Sequence, residues 1–460
     1  IAYPTESCFG LGCDPKNKRA IEKILYLKKR PRSKGFILIS SKIDFLRTYM
    51  QDFSTTEKKE MMAKWPGPHT WLVPASDYCP PWLRGGSQNI AIRLPKVNST
   101  LNLLNSINFP ITSTSANLTH KKSIKTLRAC KNLFKNEVKI IDGGKVIGTG
   151  KAAVGQEVLV SVADAKLWSP ESPFLYDMEI SLLHNGTATD KLKSYVGMRK
   201  ISTKKDANGI VRMQLNNKDY FHFGPLDQGW WPDGLYTAAT DEALLYDIKK
   251  TKDFGFNMIR KHVKVEPARW YYHCDKEGIL VWQDMPSGDA NPKWQTRNYF
   301  NGLELQRSKL SETNFMEEWK EIMDLTYSNP SVVVRVPFNE AWGQFKTAEI
   351  AEWTKNYDPT RLVNPASGGN HYDVGDMIDI HNYPEPVMGL FDSKRVNVLG
   401  EYGGIGLVME NHVWENNRNW GYVQYKTSED ATKAYVDMTE KLKLLIPFGY
   451  SAAVYTQTTD

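Results

Sequence analysis

Cysteine is scarce in this chain and scattered: Cys8, Cys13, Cys79, Cys130 and Cys274 are five in 460 residues, an odd number with no CxxC or zinc-knuckle spacing. That favours free thiols in a reducing compartment over a disulfide framework. The nine histidines show no metal-ligating spacing either, so no metal site is expected. Long apolar runs are missing: none approaches the roughly 20 residues that a membrane helix requires. Ile1-Ala2-Tyr3-Pro4 lacks the charged and apolar regions of a signal peptide, so a cytoplasmic setting without membrane contact is expected. The start also lacks Met, and an N-terminal piece is expected to be absent. What remains, 41% hydrophobic and 24% charged residues, is the composition of an ordinary globular protein long enough for two or three domains. Nothing in it fixes the oligomeric state.

Charge divides the chain. Residues 1–146 hold 25 Lys+Arg against 10 Asp+Glu, and residues 147–460 hold 34 against 42, giving +15 and −8. Such asymmetry suggests domains with different partners.

The first segment alternates short apolar strands, Gly35–Ser40 and Asn89–Leu94, with a helical stripe through Ala20, Ile21, Ile24 and Leu27, the pattern of an α/β sandwich. Its run Lys28-Lys29-Arg30-Pro31-Arg32-Ser33-Lys34 has five cations in seven residues. Taken alone it reads as a solvated basic turn; Arg forks and Lys point charges are also what polyphosphate oxygens require.

In order along the segment come Tyr3-Pro4-Thr5-Glu6-Ser7, Lys28-Lys29-Arg30-Pro31, Trp65-Pro66-Gly67-Pro68-His69-Thr70, Ala91-Ile92-Arg93-Leu94-Pro95 and Pro110-Ile111-Thr112-Ser113-Thr114-Ser115-Ala116-Asn117. This resembles the YrdC/Sua5 family of threonylcarbamoyl-AMP synthases of tRNA modification. The resemblance implies a nucleotide-binding domain over 1–146 that makes threonylcarbamoyl-adenylate from threonine, bicarbonate and ATP, with ATP as a substrate, with or without Mg, and with tRNA attracted to the basic cavity. It places Lys28, Arg30, Ser115 and Asn117 on ATP phosphates and ribose, and Thr5 on the wall of the same cavity.

Asp142-Gly143-Gly144 through Gly150 reads as a glycine-dense turn or linker. After it, Val158–Val162 and Leu175–Leu182 read as strands and Asn185-Gly186 as a hairpin turn, so residues 147–215 are expected to form a partial immunoglobulin-like β-sandwich. From Tyr220 strands and helices alternate, with strands starting near Tyr220, Phe256, Ile279, Val332, Leu362, Met377, Val396 and Tyr450. Eight such units predict a (β/α)8 TIM barrel over 216–460 that stops before its last helix, with one helix capped by Asn314 and another by Thr427.

On that count Glu340 follows the fourth strand and Glu401 ends the seventh. Paired carboxylates at strand ends suit glycoside hydrolysis, one protonating the leaving oxygen and the other attacking the anomeric carbon. Leu167-Trp168-Ser169-Pro170, Asn257-Met258-Ile259-Arg260-Lys261-His262, Asp275 to Trp282, Asn339-Glu340 and Gly400-Glu401-Tyr402-Gly403 resemble glycoside hydrolase family 2, the family of β-galactosidases, β-glucuronidases and β-mannosidases. The resemblance implies Glu340 as acid/base, Glu401 as nucleophile and Asn339 as a contact to the sugar 2-hydroxyl, with no cofactor.

Further substrate-binding candidates are Arg260, His262, His381 and Tyr383, together with Asp227 and Trp231 in a loop of aromatics and carboxylates. His262 reads equally as a core histidine, Tyr383 and Trp231 as packing residues. Arg335, inside a strand that should be apolar, is expected to find a carboxylate or reach solvent, because an unpaired buried charge costs several kcal/mol. Three functions follow: a retaining exo-β-glycosidase acting on an oligosaccharide or glycoside, a threonylcarbamoyl-AMP synthase, and a catalytically impaired carbohydrate-binding fusion of two truncated pieces.

Overall fold

A computed structural model of the chain describes residues 2–6, 8–28, 30–117, 134–184, 186–289, 298–300, 302–415 and 418–458; Ser7, Lys29, Cys130 and Asn185 of the motifs above lie outside them. The chain divides into two compact units, Ile1–Val162 with Met178–Ser194, and Ala163–Asp177 with Tyr195–Asp460.

In the first unit β1 (Ala2–Pro4), β2 (Phe9–Leu11), β3 (Ile37–Ile39), β4 (Trp71–Pro74), β5 (Asn89–Arg93) and β6 (Ile111–Ser115) form one sheet in the order β1-β2-β6-β3-β5-β4. The period of two along β3 sorts its side chains. Leu38 enters a core with Ile21, Ile24 and Leu25 of the helix Lys18–Lys28, while Ile39 packs on the other face with Tyr3, Leu104 and Ile111. The expected α/β sandwich is therefore built on both faces of this sheet.

A second sheet runs β10-β9-β7-β8, from β7 (Phe134–Asp142), β8 (Lys145–Ala153), β9 (Tyr176–His184) and β10 (Thr187–Val196). Gly143 and Gly144, at φ +53° and +82°, make the two-residue turn between β7 and β8, where both positions need positive φ. The 146/147 boundary expected from the sequence thus falls inside β8. The strand expected at Val158–Val162 is not formed; side chains of Val158 and Val160 pack instead against Gly150 of β8, where a Cβ would come within 2.4 Å of Val158.

The second unit opens with an antiparallel sheet of β11 (Ile201–Lys205), β12 (Val211–Leu215) and β13 (Lys218–Asp219). The barrel follows: β14 (His222–Asp227), β15 (Met258–Lys261), β16 (Leu280–Asp284), β17 (Val332–Val336), β18 (Leu362–Val363), β19 (Met377–His381), β20 (Val396–Gly403), a short parallel pair β21 (Ile405–Leu407) and β22 (Val423–Tyr425), and β23 (Tyr450–Thr456). The order β18-β17-β16-β15-β14-β23-β20-β19 joins neighbours in parallel. All eight barrel strands lie where the apolar runs placed them, and Met258, Leu280, Trp282, Val334, Val396 and Val398 fill a common core.

The helix Lys309–Thr326 starts earlier than expected, capped by Ser308 accepting from the Ser311 amide at 3.2 Å rather than by Asn314. In its first turn the one apolar residue, Leu310, faces solvent, so the buried apolar stripe that betrays the helix begins only at Phe315. Thr427 caps Ser428–Leu445 as its sequence suggests, accepting from Asp430 at 3.1 Å. Arg335, fully buried, finds Asp358 at 2.9 Å and donates to Thr326 at 2.5 Å.

Candidate active site

Glu340 and Glu401 reach the same end of the barrel by different means. Glu340 follows β17 through Pro337 and the buried Phe338, whose ring stacks on Phe315 at 5.2 Å and fixes the loop. Its backbone is left-handed, φ +51°, and its amide donates to Ser367 O at 2.8 Å. Such a conformation is unusual for a side chain larger than glycine and persists only where surrounding bonds impose it. Glu401 sits within β20, in a stretch between Leu399 and Tyr402 where the register with β23 shifts, an irregularity that re-aims side chains.

A carboxylate oxygen of Glu340, one of Glu401 and a ring nitrogen of His381 all lie within 4.8 Å of one another. His381 Nδ1 is 2.8 Å from Glu340 Oε1 and 3.4 Å from Glu401 Oε2. These ligand atoms are close enough together to meet a cation, but Glu340 and Glu401 are already engaged with His381, and Arg260 supplies positive charge to Glu401.

Arg260, with no exposed surface, organises the rest. It forks onto Asp284 at 3.2 and 3.0 Å, donates to Glu401 Oε1 at 3.1 Å and Gly400 O at 3.1 Å, and donates to Asn339 Oδ1 at 2.7 Å. With its oxygen so occupied, the Asn339 amide keeps its NH2 for a hydroxyl. Burial alone would lower the Arg260 pKa; Asp284, Glu401 and Asp379 outweigh it and raise it. Burial would likewise raise Asp284, yet Arg260 and then His262, 3.1 Å away, hold that carboxyl below its usual range. Tyr383 donates to Glu401 Oε2, lies 2.8 Å from Thr456 Oγ1, and stacks on Tyr422 at 3.6 Å.

Asp227, the last residue of β14, and Trp231 make contacts outside the Arg260 network. Asp227 accepts from Lys261 at 2.7 Å, in an ion cluster with Glu266, and Trp231 packs against the core of Leu244, Ile248 and Trp270. Asp284, Ser367, Asp379 and Tyr422 were not singled out from the sequence. Asp284 ends the apolar run Leu280–Trp282 and was findable by the strand-end rule that found Glu401; Ser367 and Tyr422 sit in loops with no such signal.

In the first unit, the turn from β1 to β2 is closed by Thr5 Oγ1 donating to Cys8 O at 2.6 Å. Buried Lys28, at the end of its helix, donates to the backbone carbonyls of Ser115, the last residue of β6, and of Asn117 just after it, bringing these three residues together. Arg30 donates to Gly35 O at 2.7 Å, while its Nε is buried with no hydrogen-bond partner. Burial, then the neighbouring Arg30 charge, pushes the Lys28 ammonium down to about 8. Such a pair of partly desolvated cations suits an anionic ligand.

Residues 1–154 match the Sua5/YciO/YrdC family model, described as telomere recombination, and residues 213–385 match the model of glycosyl hydrolases family 2, TIM barrel domain. Glu340 lies within the second match and Glu401 beyond it. The chain is 42% identical over 159 residues to the threonylcarbamoyl-AMP synthase of Methylobacillus flagellatus, covering 35% of this chain and 88% of that protein. It is 39% identical over 167 residues to that of Thiobacillus denitrificans, covering 36% and 86%.

Among solved structures the chain is similar to an FMN-binding β-glucuronidase from Facaelibacterium prausnitzii L2-6, with TM-score 0.51, 20% identity and coverage of 72% of this chain and 52% of that one. The β-D-glucuronidase of Dictyoglomus thermophilum gives TM-score 0.53 at 18% identity, covering 70% and 57%. The chain thus spans about half the length of these enzymes, and the likeness shows the fold. The barrel matches the family 2 TIM barrel domain model over residues 213–385, and through residues 1–154 the chain belongs to the Sua5/YciO/YrdC family.

Proposed function

We propose that the barrel is a retaining exo-β-glycosidase for terminal β-linked sugars of galactoside or glucuronide type. The observation that carries this reading is the approach of the Glu340 and Glu401 carboxylate oxygens to within 4.8 Å. Retention needs carboxyl groups about 5–5.5 Å apart, whereas inversion needs room for a water between them. Glu401 attacks the anomeric carbon as Glu340 passes its proton to the leaving oxygen; the C–O bond breaks and a glycosyl ester forms on Glu401. Glu340, now a carboxylate, takes a proton from water, whose oxygen attacks the same carbon and frees Glu401. Arg260 and Tyr383 stabilise the Glu401 carboxylate as attacking and departing group, and the Asn339 NH2 is available to the 2-hydroxyl. No step requires a cofactor. Hydrolysis of nitrophenyl β-galactosides and β-glucuronides, lost in Glu401→Gln, tests the proposal; sugar binding without turnover in the parent chain would favour a carbohydrate-binding fusion instead.

A second activity is favoured by the Lys28 contacts to Ser115 and Asn117. The first segment, on this reading, makes threonylcarbamoyl-adenylate from threonine, bicarbonate and ATP, with Lys28 and Arg30 stabilising the phosphate charge that pyrophosphate release exposes. Its excess of cations would also attract tRNA. Pyrophosphate release that depends on threonine and bicarbonate, and is abolished in Lys28→Ala, tests it.

A further inference from the structure

His381 lies with no side-chain exposure between the two glutamates, and its far nitrogen is held from behind. Nε2 is 2.9 Å from Ser367 Oγ, and that hydroxyl donates to Asp379 Oδ2 at 2.5 Å, which also accepts from Asn364 Nδ2 at 2.6 Å. Ser367, Asp379 and Asn364 are fully buried. Two glycines admit this arrangement. A Cβ on Gly368, at φ +59°, would lie 2.3 Å from the His381 ring, and one on Gly400 would lie 2.1 Å from Asp379 Oδ1.

A serine hydroxyl carries one proton. When Ser367 gives it to the Asp379 carboxylate, only an acceptor lone pair faces His381, so Nε2 must bring its own proton. In the neutral ring Nδ1 is then an acceptor. A carboxylate cannot donate to it, but a protonated Glu340 can.

We infer that Ser367 and Asp379 are positioning residues that pin His381 as its Nε2–H tautomer, so that Nδ1 accepts a hydrogen bond from protonated Glu340 and keeps the proton on this carboxyl as the general acid. This rests on the glycosidase reading for the role of Glu340. It assigns to a buried serine and aspartate a part in deciding where a proton sits about two side chains away, as second-sphere groups do for metal-bound histidines. The charged and titratable groups facing the ring are Glu340, Glu401 and Asp379, with Arg260 and Tyr383 acting through Glu401 and His371 nearby. Burial raises the Asp379 pKa against the opposing influence of His381, Arg260, Ser367 and Asn364, so the arrangement is sought on the alkaline side of neutrality, the direction that favours the carboxylate.

The test is the tautomer itself, read by two-bond nitrogen–proton correlation on the full chain labelled with 15N-histidine at pH 7–8, the His381 ring being assigned by its loss in His381→Gln. The expected spectrum has Nε2 protonated and Nδ1 bare, with that preference lost in Ser367→Ala and kept in Ser367→Thr. In hydrolysis assays Ser367→Ala frees Nδ1–H to donate to the Glu340 carboxylate, moving the basic limb of the pH–rate profile down by about one pH unit, roughly a tenfold loss on that limb. A proton on Nδ1 in the parent chain, or an unchanged tautomer in Ser367→Ala, overturns the inference. The spectrum is read without turnover, so an inactive barrel would contradict the glycosidase reading alone.

Discussion

The Arg260 guanidinium and the Glu401 carboxylate meet at 3.1 Å inside the barrel, neither with appreciable exposure. The same guanidinium pairs with Asp284 and holds Asn339, so one side chain from β15 ties together groups from β16, from the loop after β17 and from β20. Pre-organisation of this kind is what catalysis asks of a scaffold: polar groups fixed before the substrate arrives.

Replacing Arg260 with Ala should therefore cost both stability and activity. It leaves Asp284 buried without its cation, a change worth about 3–5 kcal/mol. A fall in the denaturation midpoint of the barrel, with Arg260→Lys intermediate because it cannot fork onto Asp284, is the expected result.

The Arg335–Asp358 pair gives a pH test. Asp358 is pushed up by burial but pulled down further by Arg361 and Arg335, so its folded pKa lies below the unfolded value. A depressed carboxyl contributes stability that is present above its unfolded pKa, near 3.9, and is lost as pH falls through the folded value. Parent and Asp358→Asn should differ most above pH ~4 and converge below it, measured by chemical denaturation across pH.

Gly404 has φ +70°, and a Cβ there would lie 2.2 Å from the Tyr422 ring that stacks on Tyr383. Gly404→Ala should displace Tyr422, release Tyr383 from Glu401 and lower kcat with a stability loss of about 1–3 kcal/mol.

Lys28 predicts a pH dependence for the first segment. Its pKa, lowered to about 8 by burial, leaves it cationic below that pH and neutral above, so ATP affinity should weaken as pH rises from 7 to 9. Lys28→Arg, which stays charged, should bind ATP with a flatter profile by calorimetry.

Much of this was legible beforehand because apolar runs state where buried parallel strands lie. Val332–Val336 and Val396–Leu399 are such runs, and each leads to a carboxylate at the barrel mouth. Arg335 was legible as a problem and is solved by Asp358, a partner 23 residues on that no periodicity points to. The Ser308 cap was hidden because the first turn adds nothing to the buried stripe, its Leu310 facing solvent, and the strand expected at Val158–Val162 failed because β-branched residues also pack as irregular segments. The link from Ser367 through His381 to Glu340 joins three separate loops and strand ends, a juxtaposition that only the closed barrel creates.

The central claim, that Glu340 and Glu401 act together in double displacement, is tested most directly by the configuration of the sugar first released. Proton NMR of nitrophenyl β-glycoside hydrolysis by the intact chain, recorded before mutarotation, should show the β-anomer, and Glu401→Gln should release none. Initial release of the α-anomer, or unchanged turnover in Glu401→Gln, would contradict the account.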